Sequence, residues 1–207
     1  MLGEAFPASD FDRWAEVYDQ DVLSAEIFPF AGYRQVLDAV AEQAEAKPGM
    51  CVLDLGTGTG NLARRFADLG CRMWGSDFST AMLAKARQKL PEARFVLHDL
   101  RGDWPPELQR LFDRIVSGYA FHHFELIRKV GLIQRLRSER LEPGGRLVIA
   151  DISFASQAAM QDFAASAGDL WEEEPYWVAD EALEAAGVRA AYQQVSACAG
   201  VYRIEQD

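Results

Sequence analysis

The sequence predicts an α/β protein. Its sheet should be open, doubly wound and seven-stranded, mostly parallel, with helices on both faces and an antiparallel hairpin at the C-terminal edge. Three observations carry this. From residue 50 to residue 151, short apolar runs alternate with helical segments, the pattern of repeated βαβ units. The first run feeds a glycine-rich turn, "VLDLGTGTGN" at Val52–Asn61, that opens into a helix. The last two runs are joined by a connection too short for a crossover, so they can pair only antiparallel.

Each element follows from its own residues. In "SDFDRWAEVYDQ", Ser9 or Asp10 supplies a cap, and Phe11, Trp14, Ala15 and Tyr18 recur at helical spacing. Pro29 and Gly32 interrupt the pattern. A second helix then carries Val36, Leu37, Val40, Ala41 and Ala44 as one apolar stripe, and Lys47-Pro48-Gly49 ends it. The alternation begins with the strand "MCVLDLG" and the helix "NLARRFADLG", closed by Gly70. It continues with the strand "CRMWGSD", the helix "STAMLAKARQKL" opened by Ser79, and the strand "ARFVLHD". Residues 101–111 hold Pro105-Pro106 and form a loop with room for one helical turn. After the strand "FDRIVSGYA" comes the helix "HHFELIRKVGLIQRLRSERL", and Pro143-Gly144-Gly145 turns the chain into the strand "RLVIAD". Residues 154–177 read as helix or loop and carry Trp171, Tyr176 and Trp177. "ADEALEAAG" is a helix closed by Gly187, and "VRAAYQQVSA" with "AGVYRIEQ" form the final hairpin.

Composition narrows the partners. A chain of 207 residues suits one domain, and 49% apolar with 26% charged residues is globular usage. The net charge of −11 repels nucleic acid and anionic membrane surfaces, so neither is expected as a partner. No apolar run approaches the ~20 residues of a membrane span. "MLGEAFPASD" lacks the basic start and apolar core of a signal peptide. Cys51, Cys71 and Cys198 are odd in number and show no CxxC spacing, which reads as reduced thiols in a cytoplasmic protein without a metal site.

The candidate site lies at the carboxyl ends of the strands. The turn Gly56-Thr57-Gly58-Thr59-Gly60 is GxGxG, with Asp54 two residues ahead, whereas the dinucleotide fingerprint is GxGxxG. On this loop alone, a nucleotide's phosphates and a sulfonium cofactor both remain open. Asp77 closes the second strand, 17 residues beyond Gly60, where a carboxylate can accept from both hydroxyls of a ribose or help to start the next helix. Phe78 would lie against an adenine face. Asp99 ends the third strand and can accept from an adenine amine, with the Leu100 backbone beside it, or cap its loop. "SGYAFHHF" brings Ser117, Gly118, Tyr119, His122 and His123 to the same edge.

Four such pieces, each at a strand's carboxyl end and in this order, resemble the class I S-adenosylmethionine-dependent methyltransferases. The resemblance runs over roughly residues 10–205 and takes in "WAEVYD", "LEPGGRLVIAD" and the final antiparallel pair. "FDRWAEVYDQ", "GTGTGNL" and "SGYAFHHF" look closest to the small bacterial YrrT-like group. The resemblance implies a Rossmann-like fold and S-adenosyl-L-methionine as cofactor. Gly56, Gly58 and Gly60, with Asp54 and Thr57, would surround its methionine part. Asp77 would hold the ribose, and Asp99 and Leu100 the adenine. Ser117 or Gly118 would face the cofactor, and Tyr18 or Tyr33 would reach its carboxylate. It also implies a division of residues 1–207 into N-terminal lid helices (1–46), a cofactor-binding half (47–153) and an acceptor-side insertion with the hairpin (154–207).

Methyl transfer from a sulfonium needs alignment and exclusion of water, and a base only when the acceptor must first lose a proton. His122 and Tyr119 are the candidates for contact with the acceptor, and His123 stands beside them. The aromatics Trp171, Tyr176 and Trp177 with Glu172, Glu173 and Glu174 would suit a cationic or amine acceptor. "SGYA" is not the Asn/Asp-Pro-Pro-aromatic motif of enzymes that methylate base amines, and no Asp/Asn set resembles the magnesium site of catechol methyltransferases. By elimination the acceptor is a small molecule. A cofactor-binding protein without turnover and a nicotinamide-dependent oxidoreductase are the alternatives, the latter disfavoured by GxGxG and by the hairpin. Monomer and homodimer are both open.

Overall fold

The computed structural model describes residues 7–187 and 190–206. Strands β1 (Cys51–Leu55), β2 (Arg72–Asp77), β3 (Arg94–Leu97), β4 (Phe112–Gly118) and β5 (Leu141–Phe154) form the parallel part of the sheet. A two-residue strand, β6 (Trp177–Val178), pairs parallel to the far end of β5. Strands β7 (Ala190–Gln194) and β8 (Ala199–Glu205) are the hairpin, with β8 antiparallel to β5. The order is β3-β2-β1-β4-β5-β8-β7. The doubly wound sheet and its antiparallel edge are as the sequence predicts. The short β6 is an addition, because two residues give no alternation to read.

Eight helices accompany these strands among the described residues: α1 (Ala8–Trp14), α2 (Tyr18–Leu23), α3 (Tyr33–Ala44), α4 (Asn61–Asp68), α5 (Thr80–Lys89), α6 (Leu126–Glu139), α7 (Gln157–Ala167) and α8 (Ala179–Ala186). Period-two alternation sends Val52, Val116 and Val148 to one face, against Val36, Leu37 and Val40 of α3 and Leu62 and Phe66 of α4. Leu53, Ile115 and Leu147 point the other way, against Leu132, Ile133 and Leu136 of α6. None of the described helices is long and apolar enough to cross a membrane.

Four boundaries differ from expectation. The leading helix is two helices broken between Trp14 and Tyr18, and its first N-cap position is Pro7, without a side-chain cap from Ser9 or Asp10. The helix expected from His122 begins at Leu126, so both histidines lie in the turn before it. Strand β5 starts at Leu141 and carries Pro143-Gly144-Gly145 inside it, with Gly144 at φ +74° and a register shift against β4. The start of the penultimate run at Val188 and the opening "MLGEAF" lie outside the described residues.

Candidate active site

The strand order reverses between β1 and β4, and at that switch point the carboxyl ends part to leave a crevice. Leu55 registers with Ser76 on one side and Ser117 on the other. The crevice is a cavity of ≈ 770 Å³, within the ~300–1,000 Å³ range of small-molecule sites. Its floor is the glycine turn. Gly56, at φ +67°, lies so close to the next strand's loop that a Cβ there would sit 2.4 Å from Ala120 Cβ. Gly58, at φ +54°, has open space where its side chain would be. Only glycine meets both demands, positive φ and a bare backbone toward the cavity.

Carboxylates hold this turn from two sides. Asp54 lies beneath it, 1% exposed, and accepts from Thr57 Oγ1 at 2.7 Å. Burial pushes its carboxyl up to about 7. Asp77 lines the cavity and accepts from the Gly58 amide at 2.8 Å and the Ser79 amide at 2.9 Å. Burial raises it to about 6, against the opposing pull of those amides. Ser79 caps α5 by accepting from the Met82 amide.

At the β3 side, Asp99, Leu100, Phe78 and Met82 line one end of the cavity. Asp99 stands two residues past the strand, and Arg101 grips its Oδ2 through Nε at 3.0 Å and Nη2 at 2.6 Å. That guanidinium holds the carboxyl below its ordinary value. The helices α1 and α2 roof the cavity. Phe11 meets Phe78 edge-on at 5.0 Å and His123 at 6.0 Å, and Tyr18 lines the wall. Two acids fasten this roof. Asp12 accepts from Ser79 Oγ at 2.6 Å, and Asp19 accepts from Thr59 Oγ1 at 2.5 Å, Asn61 Nδ2 at 2.9 Å and Lys89 Nζ at 2.9 Å.

The end of β4 supplies Gly118, Tyr119 and Ala120 to the wall. Tyr119 is held at φ +57°, a costly conformation for a residue with a side chain, and its ring stacks on Tyr33 at 5.3 Å. The following turn holds the two histidine rings side by side, with 3.9 Å between their centroids, and gives them different partners. His122 Nδ1 lies 2.6 Å from Asp151 Oδ1, and Asp151 is wholly buried. His123 lines the cavity, with Nδ1 3.0 Å from Oε2 of Glu174, which lines it too.

Comparison with known proteins gives the family. The profile described as a methyltransferase domain matches residues 52–145. An uncharacterized methyltransferase of Geobacillus kaustophilus is 36% identical over 156 residues, covering 73% of this chain and 69% of the relative. The chain belongs to the class I S-adenosylmethionine-dependent methyltransferases. Two solved structures share the methyltransferase's fold. A protein of Pyrococcus horikoshii OT3 matches with a TM-score of 0.72 at 17% identity, over 94% of this chain and 99% of that one. The DhpI-SAM-HEP complex matches with a TM-score of 0.71 at 22% identity, over 94% of each.

The residues present fit the family's cofactor, S-adenosyl-L-methionine. Gly58 leaves a cradle that a Cβ would fill. The cavity wall carries the carboxylates of Asp77 and Asp99, acceptors for hydroxyl and amine donors. Of the residues singled out in the sequence, the methyltransferase places Tyr18, Gly56, Gly58, Asp77, Phe78, Asp99, Leu100, Gly118 and Tyr119 on the cavity wall. Asp54, Thr57, Gly60, Tyr33, Ser117 and His122 are not among the lining residues. Ser117 Oγ donates to the Leu55 carbonyl at 2.7 Å, Gly60 packs toward Ala86, and Tyr33 Oη accepts from Asn61 at 3.4 Å. Phe11, Met82, His98, Arg101, Phe124 and Arg128 also line the cavity, and sequence reasoning gave them no part in it. Phe11, one turn before Trp14 on an apolar stripe, carried a signal, but it read equally as core.

Proposed function

We propose that the methyltransferase passes a methyl group from S-adenosyl-L-methionine to a small-molecule acceptor by in-line displacement. The observation that carries this reading is the continuity of one cavity, from the glycine turn past Tyr119 to Glu174, with room for donor and acceptor side by side. The bound cofactor supplies the activated methyl group, and the chain supplies binding and alignment. Gly56 and Gly58 accommodate the methionine part by close backbone approach. Asp77 accepts from the ribose hydroxyls, and Asp99 with the Leu100 backbone takes the adenine edge beside Phe78. Tyr18 reaches the cofactor's carboxylate from the roof. Asp54, Thr57, Gly60, Ser117 and Tyr33 serve from behind the wall by fixing the turn and the strand ends. Tyr119 and the histidine turn border the acceptor. Residues 1–46 act as lid, 47–153 as the cofactor half and 154–207 as the acceptor side.

Calorimetric titration with S-adenosylmethionine, S-adenosylhomocysteine and NADH tests the cofactor half. Binding of the first two without the third is expected, and NADH binding alone overturns the reading. Release of S-adenosylhomocysteine on addition of low-molecular-weight acceptors tests the second half. Turnover confined to a macromolecular acceptor would exclude a small-molecule role.

A further inference from the structure

Among the described residues, three side chains of metal-binding type converge at one place. One ligand atom from each of His122, His123 and Glu174 lies within 4.8 Å of the other two. They come from the turn after β4 and from the end of the segment before β6. The imidazole rings stand 3.9 Å apart between centroids, and His123 Nδ1 is 3.0 Å from Glu174 Oε2. The group is withdrawn from solvent. Its side chains are 9% exposed at His122, 22% at His123 and 14% at Glu174.

The ligands are also held from behind. His122 Nδ1 lies 2.6 Å from Oδ1 of the wholly buried Asp151. That carboxylate accepts from the Ile152 amide at 2.8 Å, the Phe121 amide at 2.8 Å and Trp177 Nε1 at 3.2 Å. Three donors around Asp151 make it an acceptor, so His122 Nδ1 is the fourth donor and the lone pair of that ring is on Nε2. A carboxylate behind an imidazole is the support that orients metal-bound histidines. Beside Glu174, buried Lys129 donates through Nζ to the Pro175 carbonyl and steadies the backbone that carries the third ligand.

We propose that His122, His123 and Glu174 bind a divalent metal ion of the zinc class, with an open coordination position at the wall of the cavity. Bonds of about 2.0–2.2 Å to a tetrahedral ion put its ligand atoms roughly 3.3 Å apart. His123 Nδ1 and Glu174 Oε2 already have close to that spacing, and coordination replaces the hydrogen bond between them. A small side-chain rotation brings in His122. Two imidazoles and one carboxylate suit Zn2+ and its neighbours, whereas Mg2+ and Ca2+ prefer oxygen alone. Three protein ligands leave a fourth position. His123 and Glu174 line the cavity, so that position opens to it and takes a water or the heteroatom of a small molecule held there. Metal binding at this place does not depend on the transfer reading given above.

The test uses the full chain freed of metal by dialysis against a chelator. Zinc chloride is titrated in a calorimeter and cobalt chloride in a spectrophotometer. One zinc ion per chain with a Kd at or below about 1 μM is expected, with the visible bands of low-coordinate cobalt and no saturable binding of magnesium chloride. H123Q and E174Q, each with native circular dichroism, should weaken zinc binding by about a hundredfold or more. D151N, which removes no ligand, should weaken it by about 10–100-fold and shift the cobalt bands, a signature that a merely structural residue would not give. If D151N does not fold, H123Q and E174Q decide alone. C71S should leave the affinity unchanged. No zinc binding, equal affinity for magnesium, loss of binding in C71S, or native affinity in both H123Q and E174Q would each overturn the proposal. Failure of S-adenosylhomocysteine to bind would strike the transfer reading and leave the metal site standing.

Discussion

Asp77 accepts the backbone N–H of Gly58 across 2.8 Å, so one carboxylate both lines the cavity and clasps the turn that forms its floor. Removing it therefore acts on binding and on shape. Asp77→Ala should lower affinity for S-adenosylhomocysteine tenfold or more, since hydrogen bonds to a charged group are worth roughly 1.5–3 kcal/mol each. Calorimetry on a variant with native circular dichroism checks this, and unchanged affinity would remove Asp77 from the ribose role.

The first two glycines of the turn should fail differently. Gly56→Ala meets Ala120 as well as a positive φ and should cost more than ~2 kcal/mol of stability. Gly58→Ala meets open space and should cost only ~1–2 kcal/mol, while filling the place a ligand needs. Thermal melts and cofactor titration on the two variants separate these outcomes. Equal stability losses would refute the contrast.

Asp54 predicts a pH dependence with a definite sign. Its carboxyl rises from 3.8 to about 7 in the fold, so the folded state keeps a proton that the unfolded chain releases between those values. Its contribution is full below pH 4 and is lost as the pH rises to about 7, where ionisation is resisted by burial. Asp54→Asn keeps an acceptor for Thr57 and escapes this loss. The melting temperature of the variant relative to native protein should climb from pH 4.5 to pH 7 and then level off. A flat difference would show that Asp54 ionises normally.

Asp19 ties the roof to Thr59, Asn61 and Lys89. Asp19→Ala should speed dissociation of S-adenosylhomocysteine by roughly tenfold with a smaller change in association, as expected when a closed lid is weakened. Stopped-flow displacement reads both rates. An effect confined to association would assign Asp19 to steering rather than closure.

Much of this was legible in the sequence because it is local. The glycine turn, Asp54 two residues ahead of it and the period-two alternation inside each strand are all set by near neighbours in the chain. The contacts that finish the site are not local. Asp19 and Thr59 are 40 residues apart, and His123 and Glu174 are 51 apart. The break between Trp14 and Tyr18 left no glycine or proline to mark it. Adjacent histidines look alike in sequence, and it takes Asp151, on another strand, to draw one of them out of the cavity.

The segment between β5 and β6 leaves and re-enters the sheet at neighbouring points, with Ser153 in register with Trp177 and Phe154 with Val178. Its two ends are thus clamped side by side while Glu172, Glu173, Glu174 and Pro175 reach the cavity wall. Such an excursion is a cassette: both its ends are anchored on β5 and β6, away from the strands that lead into Gly58 and Asp77. If acceptors bind against this segment, as proposed, a lineage built on this sheet could change what it methylates by rewriting one piece and inherit the rest intact.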